Sequence, residues 1–162
     1  MSKAVWHVAD VKTPATADGI VIGTVWFTLH GVDFPEAGWT DFPISVLSSA
    51  VTAYEDIRSG ELEAFSYIFD GPYFLYYRRT DASEPTVYIE ANCDRDENAV
   101  VSLSTGEVPL RKLRGTLLSA VETLHAEIAA KPCADDSVHI AARLIATLSG
   151  QDAISRREVR ET

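Results

Sequence analysis

Four successive segments, Leu62 to Phe69, Tyr73 to Arg79, Thr86 to Cys93 and Ala99 to Leu103, are rich in β-branched and aromatic residues and are parted by short turn-forming stretches. Asp70-Gly71-Pro72, Asp81 to Pro85 and Asp94 to Asn98 supply those turns, and spacings of this kind specify an antiparallel meander. Within the third segment Val87, Ile89, Ala91 and Cys93 alternate with Thr86, Tyr88, Glu90 and Asn92. A period of two means one buried and one unburied face, so one side of the sheet calls for a covering layer.

The rest of the chain supplies more strands and the cover. Ala4 to Val11 and Ile20 to His30 read as an opening pair of strands around the turn-rich Thr13 to Gly19. In the second, Val21, Val25, Phe27 and Leu29 alternate with Thr24, Trp26, Thr28 and His30. Asp41 two residues before Pro43 fits a helix start, with the carboxylate as cap. Ile44, Leu47, Val51 and Tyr54 then recur at helical steps until Ser59-Gly60 supplies a stop. A longer stripe, Leu110, Leu113, Leu117, Val121, Leu124 and Ile128, starts behind Pro109 and runs to Lys131-Pro132. A last helix, capped by Asp135 or Asp136, carries Val138, Ala142, Ile145 and Leu148 and stops at Gly150. Strands grouped apart from helices predict an α+β fold: an antiparallel sheet of about six strands with two to three helices packed on one face. With 162 residues in all, one domain over residues 1–150 is expected, followed by a charged, flexible tail over residues 151–162.

Charge narrows the partner classes. The 14 Lys+Arg against 24 Asp+Glu give a formal net charge of -10, which repels phosphate backbones and argues against nucleic acid as partner. No apolar run is long enough to span a membrane, and Met1 to His7 lacks the apolar region of a secretory signal, so a cytoplasmic protein is expected. Cys93 and Cys133 lack Cys-x-x-Cys spacing and read as free thiols, Cys93 on the buried alternation set.

Chemistry-bearing motifs are sparse. Asp94-x-Asp96-x-Asn98 opens like a calcium loop, but Ala99 stands where the loop needs glycine and Thr105 where it needs glutamate, so a solvated turn is expected. No phosphate-binding glycine loop, zinc-protease or nucleophile-elbow motif occurs; neither metal nor cofactor nor catalytic residue is expected. Of His7, His30, His125 and His139, only the two strand histidines have an interesting position: on the helix-free face they would neighbour Glu90 as a base with an orienting carboxylate. Ordinary polar residues on a wet sheet face are the plainer reading.

Aromatic placement says more. Trp26 and Tyr88 fall among polar residues, and the hairpin Phe65 to Tyr77 places aromatics on both alternation sets, so some of these rings cannot enter a helix-covered core. Such rings anchor protein contacts, or stack across neighbouring strands. Asp33, Glu36 and Trp39 form an acidic, aromatic loop before the first helix, where Trp39 either meets a partner or plugs the core. The expected partner surface is therefore Trp26, His30, Asp33, Glu36, Trp39, Tyr88 and Glu90.

The Trp39 to Pro43 helix entry (Trp-Thr-Asp-Phe-Pro), the Asp70 to Tyr73 turn (Asp-Gly-Pro-Tyr) and the small acidic α+β pattern together resemble small bacterial domains of uncharacterised families and, more loosely, polymorphic-toxin immunity proteins. The resemblance covers about the first two thirds of the chain and implies only a role: an acidic surface covering a basic toxin. The leading expectation is thus a non-enzymatic protein-binding module with a protein partner such as a basic toxin. Its rivals are a small-ligand protein or enzyme using His7, His30 and Glu90, and a homodimeric structural module in which Trp26 and Tyr88 meet across a two-fold axis.

Overall fold

The computed structural model describes residues 3–16, 19–80, 83–96, 99–132 and 134–160. Among the described residues the order is β1 (Ala4–Lys12), β2 (Ile22–Leu29), β3 (Val32–Phe34), β4 (Thr40–Asp41), α1 (Pro43–Ser59), β5 (Glu63–Tyr67), β6 (Tyr73–Arg79), β7 (Thr86–Asp96), β8 (Ala99–Pro109), α2 (Leu110–Ala129) and α3 (Asp135–Arg160). The α+β class holds. The single sheet of about six strands does not: there are two antiparallel sheets of four strands, one ordered β1-β2-β3 with β4 also paired to β2, the other ordered β5-β6-β7-β8. Periodicity reports which face of a strand is buried and is silent on which strand it pairs with, so one sheet and two look alike in it.

Both sheets and all three helices feed one core. Val25, Phe27 and Leu29 from β2, Leu75 and Tyr77 from β6, Val87, Ile89 and Ala91 from β7, Leu47 and Ile57 from α1 and Leu113, Leu117 and Leu124 from α2 are all buried in it. Each Val, Leu, Ile or Phe among them contributes roughly 1.5–3 kcal/mol on leaving water. α1 begins at Pro43 and ends where Gly60, at φ 116, takes the left-handed conformation that closes it: the Gly60 and Glu61 amides donate to Ile57 and Asp56 carbonyls. α3 runs past Gly150, which therefore does not stop it; a lone helical glycine costs about 1 kcal/mol against alanine and breaks no hydrogen bond. Asp135 and Asp136 occupy its first turn, facing the positive end of the dipole. Cys133, Glu97 and Asn98 lie outside the described residues, as do Asp81 and residues 161–162.

Helices also seal two sheet edges. The Trp6 amide on the free edge of β1 donates to Thr116 Oγ1 of α2 at 2.8 Å, and Lys131 Nζ donates to the Val11 carbonyl at 2.6 Å. On the free edge of β5, the Tyr67 amide donates to Ser49 Oγ of α1 at 3.0 Å. These hydroxyls and this ammonium satisfy main-chain groups that would otherwise invite another strand.

Candidate functional site

The outer face of β5–β8 is a feature the core leaves unexplained. Cross-strand register arranges it in rows: Glu63, Arg78, Tyr88, Glu107; then Phe65, Tyr76, Glu90, Thr105; then Tyr67, Phe74, Asn92, Ser102. Phe65 and Tyr67 are 47% and 53% exposed, while Phe74, Tyr76, Tyr88 and Glu90 are half-buried among one another. Phe65 leans on both Phe74 and Tyr76, with centroids 6.3 and 5.3 Å apart. The Tyr76 hydroxyl donates to Glu63 Oε1 at 3.1 Å, and the Arg78 guanidinium lies 4.7 Å above the Tyr88 ring. Burial by its neighbours and the Glu63 carboxylate together hold the Tyr76 phenol above the ordinary tyrosine range, so it stays a neutral donor. Three glutamates against one arginine leave the face acidic. A contiguous ring cluster on a free sheet face, rimmed by carboxylates, has the make-up of a protein-contact surface.

The opposite face of the same strands is closed. Ser66 and Tyr77 are buried and share a hydrogen bond of 2.8 Å, and burial pushes the Tyr77 phenol far above its ordinary value. Asn92, on the outward alternation set, is also buried, with Ser102 Oγ donating to its Oδ1 at 2.7 Å. Cys93 is a free, half-buried thiol and not a fully buried one, because β7 there runs beyond the core.

Only two of the seven expected partner residues, Tyr88 and Glu90, sit on this face. Trp26, on β2, stacks against the His7 imidazole across the strand pair, centroids 4.6 Å apart and planes at 10°. His7 Nε2 lies 2.8 Å from Thr28 Oγ1, which donates to Asp33 Oδ1 at 2.6 Å. Since the hydroxyl proton goes to the carboxylate, Nε2 carries the imidazole proton and donates to Thr28. His7 and Trp26 also line a groove of about 500 Å³ between β1 and α2, together with Gly115, Thr116, Ser119 and Thr123.

His30 belongs to the turn and not to the strand. His30 and Gly31, with φ of 49 and 82, form the two-residue hairpin joining β2 to β3, and the imidazole rests on Gly106 of β8, where a Cβ would collide with the ring. Gly106 pairs with the inward-facing Ile89, whereas Glu90 points the other way, so His30 and Glu90 are on opposite sides of the sheet. His7, His30 and Glu90 therefore do not converge. Trp26 and Tyr88 likewise lie in different sheets.

Asp33 and Glu36 are exposed, but Trp39 turns inward, edge-on to Tyr73 at 5.4 Å. Asp41 does not cap α1, whose N-cap position is Phe42 without a side-chain bond. It is 3% exposed and accepts three N–H groups instead: Phe42 at 2.7 Å, Asp70 at 3.0 Å and the Trp39 indole at 3.3 Å. This carboxylate ties the α1 entry to the β5–β6 turn. Asp94 and Asp96 are exposed on β7, and among the described residues no cluster of His, Cys, Asp and Glu could hold a metal ion. Among them, too, no helix is long and apolar enough to cross a membrane. Sequence reading missed Phe65, Tyr67, Phe74 and Tyr76 as one cluster; the register of Phe65 against Tyr76 was the signal that joins them.

No family model matches the chain, and neither a curated protein nor a solved structure matches it.

Proposed function

We propose that the chain is a protein-binding module that docks a basic protein through the outer face of β5–β8. The observation that carries this reading is the ring cluster of Phe65, Tyr67, Phe74, Tyr76 and Tyr88 set among Glu63, Glu90 and Glu107, with Arg78 as the opposing charge. Rings at the centre would supply affinity, and the carboxylates would steer a basic partner and set its register. The net charge of -10 adds a long-range field of the same sign. Neutralising a basic toxin is the role in which such a face acts as a cover.

The test is capture from the source organism at low salt with wild type and with a Phe65→Ser, Tyr67→Ser double variant. A basic protein held by wild type, released by salt and lost with the variant is the expected result. Retention indifferent to the double variant contradicts the reading.

A second reading, small-ligand binding, is supported by the groove beside β1. Its volume of about 500 Å³ falls within the roughly 300–1,000 Å³ of small-molecule sites. A compound screen in which nothing stabilises wild type more than the His7→Ala variant sinks it.

A further inference from the structure

Among the described residues, three of the four sheet ends are protected against strand addition. β1 is sealed by Thr116 and Lys131, β5 by Ser49, and the end beyond β2 carries only the three residues of β3 and the two of β4. β8, at the fourth end, is 11 residues long, and its first half from Ala99 to Leu103 contains neither a charge nor a proline. Val100, Val101 and Leu103 are 56%, 53% and 47% exposed there.

The hydrogen-bond parity shows which main-chain groups this edge presents. The Asp94 amide donates to the Pro72 carbonyl, so even residues of β7 turn toward β6 and odd ones toward β8. Cys93 therefore bonds with its partner Val101, and Val100 and Ser102 turn their N–H and C=O groups off the sheet. Further along, Ser104 Oγ reaches the Leu29 carbonyl and the His30 ring rests on Gly106, both on the inner face of the sheet, so the β2–β3 turn stands beside β8 there.

We propose that β8 receives an extended segment of a basic partner as an added strand along Val100 to Leu103. The inference rests on the docking reading and gives its mode: the partner's main chain continues the β5-β6-β7-β8 sheet, and its side chains reach the acidic, aromatic face. Charge selects this occupant over a second copy of the chain, since each copy carries -10. Beside the edge stand exposed Asp94, Asp96 and Glu107 against Arg95, an acidic surround for an uncharged strand.

The test is amide hydrogen exchange of the full chain with an acetylated Lys-Thr-Val-Lys-Val-Thr-Val-Lys amide, beside the same peptide with glutamate for lysine. The basic peptide should slow exchange at Val100 and Ser102 by at least ~10-fold, because the parity turns those amides off the sheet. Val100→Pro, which removes an edge N–H that β7 does not use, should abolish the protection at Ser102 at unchanged circular dichroism. Saturable binding that leaves both amides unprotected overturns the inference, as does absence of binding or equal protection by the acidic peptide. A dimer protected at the same amides in protein alone assigns the edge to a second copy and overturns it too. The docking face is judged separately by the Phe65→Ser, Tyr67→Ser capture, so either idea can fall without the other.

Discussion

The two faces of the β5–β8 sheet come from alternate residues of the same strands and have opposite chemistry. Inward, Ala64, Leu75, Tyr77, Val87, Ile89, Ala91 and Val108 are closed off from water in the core shared with the helices. Outward, Phe65, Tyr67, Phe74, Tyr76 and Tyr88 cluster with carboxylates, and Phe65 and Tyr67 are exposed. Selection for folding explains the first set. The second places large rings where, within this chain, they gain only cross-strand packing, the observation on which the docking proposal rests.

That contrast can be broken from the inner side first. Ile89→Ala removes a side chain with no exposed surface and should cost about 4 kcal/mol by denaturant unfolding. Asp41→Ala strands three N–H donors around the β5–β6 turn and should cost about 3 kcal/mol, a loss that a capping role alone would not reach. Tyr77→Phe leaves the Ser66 hydroxyl unpaired in the core and should cost about 1 kcal/mol at neutral pH.

Its pH signature is sharper. The folded state holds the Tyr77 proton more tightly than the unfolded chain does, so the contribution is complete below the ordinary tyrosine value of 10.0 and is lost as pH rises above it. Alkaline melting curves of Tyr77→Phe should therefore fall less steeply than those of wild type. Phe65→Ser on the outer face should change stability by no more than about 0.5 kcal/mol, and a larger loss would mean that the outer rings belong to the fold.

Much of the fold was legible because alternation and helical stripes are strong over long elements. The Tyr73–Arg79 strand, the Gly60 stop of α1 and the buried stripe of α2 stand where the residues predict them. Strands of three and two residues, β3 and β4, are too short to carry a period. Asp41 was legible as a residue near a helix start, but one of its donors, Asp70, comes from 29 positions away. For the site, Tyr88 and Glu90 could be placed on the outward set from β7 alone. Glu63, Phe65 and Tyr67 join them only through pairing register, and Trp39 was drawn inward by Tyr73 and Asp41.

Charge reversal on the outer face tests the central claim most directly. A Glu63→Lys, Glu90→Lys, Glu107→Lys variant leaves the core untouched, and retention of the basic partner is measured beside the wild type after equal thermal midpoints are verified. The account predicts that retention is lost. Undiminished retention by the reversed face would contradict it.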